Sequence, residues 1–263
     1  MPEGHTIHRL ARDLNRSLRD GPVHAWSPQG RFEKGAALLD GAQLRLASAW
    51  GKYLFCDFGV GQVLHVHLGL IGKFRRRPSP APEPVGMIRL RLEGAVATWD
   101  LSGPTRCELL APEDVRRITS SLGADPLRRN PDVAAARSRL ARTSRAIGAV
   151  LLDQTVIAGI GNVYRAELLF LCGIHPRRPA SSLSDAEFEA LWARTVELLR
   201  LGVRMGRIVT TDPAEIGRPR SRMRADERLY VYHQQHCRRC GSELVTIELG
   251  GRPISYCPVH QPA

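Results

Sequence analysis

Apolar residues at Ile7, Leu10, Leu14 and Leu18 follow a helical period, and Gly21-Pro22 closes that stretch. From residue 23 to about 110 the pattern changes. "LRLASAWGKYLFCDF", "QVLHVHL", "MIRLRLEG" and "AVATWDL" alternate or run apolar over short spans broken by glycine-containing turns, which predicts an antiparallel β-sandwich. "RRRPSPAPEPVG", with four alternating prolines, predicts an exposed loop between two of these strands. From about 113 the stripes become helical: "PEDVRRITSSL", "PDVAAARSRLA", "RAIGAVLLDQ", "NVYRAELLFLCG" and "SDAEFEALWARTVELLRLGVR". Ser184 and Glu187 form a capping box at the start of the last of these. Residues 205–229 show weak periodicity and much charge, the pattern of a mobile loop. The chain is therefore expected to be α+β. The predicted division is a β-sandwich domain over 1–112, a helical domain over 113–229 and a small tail over 230–263, with a cleft between the first two.

Composition adds a partner to this picture. The 263 residues carry a formal net charge of +12, with a sequence pI near 10.2. That excess suits a polyanion, most simply nucleic acid; a solvated basic surface without a partner is the blander account. Arginine dominates, and the lysines are Lys34, Lys52 and Lys73 alone. No apolar run approaches a membrane span and no signal-peptide core is apparent, so a cytoplasmic protein is expected, nucleoid-associated if bacterial. Cys56, Cys107 and Cys172 stand among apolar neighbours and read as small buried hydrophobes.

The other three cysteines are grouped. In "HCRRCGSELVTIELGGRPISYCPVH", Cys237 and Cys240 are two residues apart, as are Cys257 and His260, and alternating β sequence joins the pairs. A tetrahedral zinc site on a hairpin needs this spacing, and four protein ligands leave no open position, so the ion is expected to be structural. His236 competes with His260 for the fourth place. Arg252, beside a Gly-Gly turn, is placed to offer its guanidinium to a phosphate.

Three further stretches carry candidate chemistry. "LLDQTVIAGIGNVYRAELLF" reads as two helical stretches joined by a glycine turn, with Asn162 opening the second; helix packing is the common use of such a pair, and phosphate binding at a helix N-terminus the sharper one. Lys52 in "WGKYLF" is a surface lysine at a strand edge or a site residue. In "HVHLGLIGKF", Leu70 sits in a glycine-flanked turn after His67, as a turn leucine or as a wedge for a duplex. The opening "MPEGHTIHRL" adds a fourth. Removal of Met1 is expected and exposes the secondary amine of Pro2 at the start of a helix, whose dipole disfavours the protonated amine. The same field favours Glu3 as a carboxylate, so an acid role for Glu3 requires desolvation.

Taken together in this order, "MPEGHTIHRL", "GKYLF", "HLGL", "LLDQTVIAGIGNVYRAELLF" and "GRPISYCPVH" resemble the formamidopyrimidine-DNA glycosylase and endonuclease VIII family, on its endonuclease VIII-like side. The resemblance covers essentially the whole chain. It implies a bifunctional DNA glycosylase/AP lyase of base excision repair, a monomer acting on damaged, double-stranded DNA, with oxidised pyrimidines as the expected lesions. Within it Pro2 would match the nucleophile at C1′ and Glu3 the acid/base that helps open the sugar ring. Lys52 would match the lysine that contacts phosphate and donates a proton during β-elimination. Arg252 would match the zinc-hairpin arginine that grips phosphates and is linked with δ-elimination. Asn162 and His67 would match phosphate contacts, and Leu70 a residue that fills the space left by the extruded base. It also implies a helix–two-turn–helix in the helical domain and one structural zinc ion in the tail hairpin. Two departures stand out. The fourth zinc ligand is usually cysteine, where this chain has His260. The arginine and phenylalanine that complete the gap-filling set have no clear counterpart in "WDLSGPTRCEL". A non-enzymatic, zinc-containing damaged-DNA-binding protein is the alternative, since it needs the charge, the zinc and Asn162 but has no use for Pro2 and Glu3. A hydrolytic metallonuclease is more distant, because no acidic metal cluster accompanies the closed zinc site.

Overall fold

The computed structural model describes residues 2–263, and the chain folds as two compact units that divide between residues 121 and 122. The first opens with α1 (Gly4–Leu18), whose Ile7, Leu10, Leu14 and Leu18 are all buried. Each such side chain taken from water contributes about 1.5–3 kcal/mol. The helix packs on β2 (Leu46–Trp50) and β3 (Tyr53–Asp57). Two antiparallel four-stranded sheets follow. One has the order β1 (His24–Trp26), β6 (Ile88–Glu93), β7 (Ala97–Ser102), β5 (Lys73–Pro78). The other runs β2, β3, β4 (Val63–His67), β8 (Arg106–Leu110).

Their inward residues, Leu90, Leu92, Trp99 and Leu101 from one sheet and Leu54, Cys56, Leu64 and Val66 from the other, share one core with α1. This is the sandwich that the period-2 pattern predicts. The Trp99 indole donates to Ser17 Oγ at 2.9 Å, which ties α1 to the sheet by a satisfied polar contact.

Two local readings change. The "RRRP" of the proline-rich stretch belongs to β5, a sheet-edge strand, where a proline at the end sacrifices no ladder bond on its open side; the loop proper begins after Pro78. A short helix, α2 (Glu33–Leu39), interrupts the β region and buries only Ala36 and Leu39. Two buried positions in seven residues leave little periodicity to detect. The unit ends with α3 (Pro112–Ser121), which has Glu113 and Asp114 in its first turn.

The second unit holds α4 (Val133–Ala141), α5 (Ile147–Val150), α6 (Asn162–Leu171), α7 (Asp185–Met205), α8 (Pro213–Ile216) and a hairpin of β9 (Val245–Leu249) with β10 (Arg252–Tyr256). Asp132 caps α4 through Ala135 N–H at 2.9 Å, and Ser184 and Glu187 form the predicted capping box of α7. Residues 162–170 of α6 are all buried, which makes this helix the centre of the unit's core.

The stretch expected to be two helices around a glycine turn differs: α5 is a single turn, and residues 151–161 form successive turns before α6. Gln154 holds them, donating to the carbonyls of Leu152 and Ile160 and accepting from Gly159 N–H. Residues 205–229, expected to be a mobile loop, contain α8 and two 3-10 turns. The segment is tied down from inside. Thr211 Oγ1 donates to the Glu227 carbonyl at 2.8 Å, and Thr210 Oγ1 donates to the buried Glu167 carboxylate. Glu167 also accepts N–H bonds from Tyr230, Val231 and Tyr232 at 2.8–2.9 Å.

Candidate active site and metal cluster

In the first unit the chemistry gathers around the start of α1. Glu3 is the N-cap, 0% exposed, and its carbonyl accepts from Thr6 N–H at 2.9 Å. Its carboxyl is thus removed from water, the setting that an acid role requires. Pro2 lines a cavity of about 600 Å3 together with Thr6, Leu10, Leu68, Leu70 and Phe74. Leu70 reaches that cavity from the turn between β4 and β5 and remains 59% exposed; Ile71 beside it is 78% exposed. Gly69 makes the turn possible. It takes φ +67°, and a Cβ there would lie 1.9 Å from Thr105 Oγ1.

Lys52 lies in the two-residue turn between β2 and β3, not on a strand edge, and is half-buried. Across the sheet His67 pairs with Tyr53 in register, their rings 5.1 Å apart. Burial lowers the His67 pKa, and the charges of His65, Lys52 and Arg106 lower it further, so Lys52 and His67 share one electrostatic neighbourhood.

In the second unit Asn162 opens α6 and is buried, its Nδ2 donating to the Pro253 carbonyl at 3.1 Å. Arg252 is the first residue of β10, next to the Gly250-Gly251 turn, whose φ values of +63° and +68° make the tight hairpin of a type I′ connection. Asn162 and Arg252 are therefore brought to one place. Cys237, Cys240, Cys257 and His260 also converge, their ligand atoms all within 4.8 Å of one another. Cys240 Sγ lies 3.6 Å from Cys257 Sγ, and His260 Nδ1 lies 3.4 and 3.7 Å from Cys257 and Cys237. A tetrahedral ion with bonds of about 2.0–2.3 Å separates its ligands by roughly these distances, so the donor set fits one metal ion. His236 is not among the four.

The chain matches the formamidopyrimidine-DNA glycosylase N-terminal domain over residues 1–119 and the H2TH domain of the same glycosylases over residues 122–214. The chain belongs to the formamidopyrimidine-DNA glycosylase family. It is 46% identical over 267 residues to Endonuclease 8 1 of Mycobacterium tuberculosis (strain H37Rv), covering 99% of this chain and 100% of that protein. The formamidopyrimidine-DNA glycosylase of Desulfitobacterium hafniense is 30% identical over 272 residues, with 99% and 100% covered. Among solved structures, the complex of wild-type Lactococcus lactis Fpg with DNA containing N7-benzyl-Fapy-dG superposes with a TM-score of 0.82 at 26% identity over the full length of both chains. The complex of that enzyme with DNA containing an abasic site gives 0.81 at 26% identity, over 99% and 100% of the two chains. Among the described residues, no helix is long and apolar enough to cross a membrane.

For a member of this family, the structure adds residues that the sequence pattern did not single out. Arg165 and Glu167 are 0% exposed in the middle of α6, two charged residues in a buried helix. The signal was available as charge inside a predicted apolar stripe. Arg239, within the first metal knuckle, stacks over Tyr230 and Phe170 and pairs with Glu215 at 3.0 Å, which ties that knuckle to α8. His65 is 1% exposed, with Nδ1 3.1 Å from Glu108 and its ring stacked on Tyr53 and Phe55. The isolated cysteines are silent at neutral pH: burial pushes the thiols of Cys56 and Cys107 up to about 12 and that of Cys172 up to about 11. Cys56 is fully buried as expected; Cys107 and Cys172 are half-buried.

Proposed function

We propose that this glycosylase removes oxidised bases, chiefly pyrimidines, from duplex DNA and then cuts the strand through a Schiff base on Pro2. The observation that carries the reading is the pairing of Pro2, on the wall of a cavity, with a fully buried Glu3 at the head of the same helix. The damaged nucleotide must leave the stack before its C1′ can be reached, at a cost of a few kcal/mol that a damaged base lowers. The unprotonated Pro2 nitrogen, free once Met1 is removed, attacks C1′. The base departs with the electrons of the glycosidic bond and takes up a proton, while Glu3 protonates the ring oxygen as the sugar opens. The resulting iminium is an electron sink. It acidifies the C2′ protons, so that loss of one expels the 3′-phosphate, with Lys52 serving the proton transfer. A second elimination expels the 5′-phosphate, assisted by Arg252. Water then hydrolyses the remaining iminium, which frees the Pro2 amine and releases the sugar remnant as an unsaturated aldehyde, leaving a one-nucleotide gap with phosphate on both sides.

Asn162, His67 and Lys52 hold phosphates in this reading, and Leu70 fills the space of the extruded base. Cys237, Cys240, Cys257 and His260 would hold one zinc ion, whose closed shell supplies folding energy to the hairpin and no open coordination site for chemistry. The protein is read as a monomer in three parts, 1–112, 113–229 and 230–263, working in the cytoplasm or on the nucleoid.

Borohydride trapping tests the chemistry. Incubation with a duplex carrying thymine glycol or an abasic site, followed by reduction, should give a covalent adduct that maps to Pro2. Protein retaining Met1 should bind the same DNA without forming it. Absence of an adduct from trimmed, metal-loaded protein that still binds the duplex would overturn the reading in favour of a non-enzymatic damage-binding protein.

A further inference from the structure

We propose that Arg106 joins His67 and Lys52 in one phosphate-binding site at the end of the β2-β3-β4-β8 sheet, as a further contact to the same phosphate. The proposal rests on the reading that His67 and Lys52 hold phosphate.

Strand register places these residues. β3, β4 and β8 are antiparallel neighbours, so Tyr53, His67 and Arg106 stand in one cross-strand row, and Phe55, His65 and Glu108 in the next. Leu54, Val66 and Cys107 alternate with them and pack in the sandwich core, which puts both rows on the opposite face. Residues directly opposite in such a row have Cβ atoms about 4.5–5.5 Å apart, so the Arg106 side chain starts beside the His67 imidazole. Lys52, in the turn that leads into β3, brings its charge to His67 from the β3 side.

The second row makes a floor for the first. His65 is 1% exposed, its ring stacked on Tyr53 at 5.5 Å and on Phe55 at 5.2 Å. Its Nδ1 donates to Glu108 Oε1 at 3.1 Å, since a carboxylate can only accept. Arg106 Nη1 lies 3.6 Å from the same oxygen, beyond hydrogen-bond range, and its side chain is 61% exposed. An exposed pair of this kind is weak. Glu108 therefore steers the guanidinium and leaves its donors for another anion.

Without DNA the first row repels itself. Burial lowers the His67 pKa most, and the charges of His65, Lys52 and Arg106 lower it further. Like charges facing one another across a sheet are destabilising, and Glu108 offsets one charge at most. A phosphate relieves all three, because its oxygens can accept from the Lys52 ammonium, the His67 ring and the forked Arg106 guanidinium at once.

The experiment measures affinity for an abasic duplex, and its salt dependence, with the metal-loaded full chain. Arg106→Gln should weaken binding about tenfold and make the salt slope shallower by about 1. Arg106→Lys keeps the charge without the fork, so it should hold the wild-type slope and lose less than about threefold. Contacts to one phosphate should not act independently: in a His67→Asn background, Arg106→Gln should cost less than about threefold. In the free protein, Arg106→Gln should also move the NMR titration of His67 to higher pH, because one of the charges that depress it is gone. Wild-type affinity and slope in Arg106→Gln, effects that multiply with those of His67→Asn, or an unmoved His67 titration would each overturn the proposal. Failure of the underlying reading looks different: His67→Asn would itself leave affinity and slope unchanged. Should Arg106→Gln not fold, NMR on the wild-type protein decides. Adding the duplex should shift the Arg106 Nε–H and His67 ring signals together, and an Arg106 signal that stays in place would overturn the shared site.

Discussion

His5 stands two residues beyond Glu3, and its imidazole is 4% exposed. Burial, with the Arg9 charge adding, lowers its pKa from 6.5 to about 4. The unfolded chain therefore takes up a proton near pH 6.5 that the folded chain refuses until about pH 4. Between those values the unfolded state binds more protons, so stability is full above 6.5 and falls as pH drops towards 4. The loss is on the order of 3 kcal/mol. Burial lowers the pKa of His65 and His67 as well, so His5→Gln should flatten the acid side of a Tm–pH profile without abolishing its slope. An unchanged profile would remove His5 from the account. Leu70 makes the opposite case. Because it is exposed, Leu70→Ala should change stability by less than about 0.5 kcal/mol, yet weaken binding to an abasic duplex. Equal affinity for wild type and variant would remove the wedge role.

At the scale of elements, two glycine turns present the exposed Leu70 and the half-buried Arg252, and they differ in how much they tolerate. Gly69 combines a positive φ with a Cβ position 1.9 Å from Thr105 Oγ1, whereas a Cβ on Gly251 meets nothing within 4 Å. Gly69→Ala should cost about 2–3 kcal/mol and Gly251→Ala about 1 kcal/mol, measured by denaturant unfolding. The reverse order would mean that the β4–β5 turn relaxes freely. The β9–β10 hairpin ends at the four residues that would hold a metal ion, Cys237, Cys240, Cys257 and His260. With little apolar burial in β9 and β10, chelation should release residues 237–260 to fast hydrogen exchange and lower affinity for DNA together. Full binding by metal-free protein would take the hairpin out of the site.

For the whole molecule the governing quantity is charge. A net +12 distributed over the chain, with no basic tail, requires the fold to assemble any phosphate-binding surface. Binding to DNA should then weaken steeply with salt, with a slope of about 0.9 per phosphate neutralised. Arg252→Ala should make that slope shallower by about 1, the signature of one lost contact. A slope unchanged in the variant would place Arg252 away from the phosphates.

The residue order alone determined the α+β class, the sandwich, the α7 capping box and the spacing of Cys237, Cys240, Cys257 and His260, because period, cap chemistry and ligand spacing are local properties. It also marked Pro2, Glu3, Lys52 and Asn162, through short motifs whose order along the chain is specific. Local signals failed where elements were short or held from elsewhere. α2 buries two side chains, α5 is one turn, and β5 runs into a proline because its outer edge is open. The segment 205–229 is irregular by sequence and ordered by Glu167, a residue about forty positions earlier. Only tertiary structure could show that Arg165 binds the carbonyls of Leu249, Arg252 and Pro253. Such bonds join backbone atoms more than eighty residues away in sequence, and a backbone carbonyl carries no residue identity for a sequence to display.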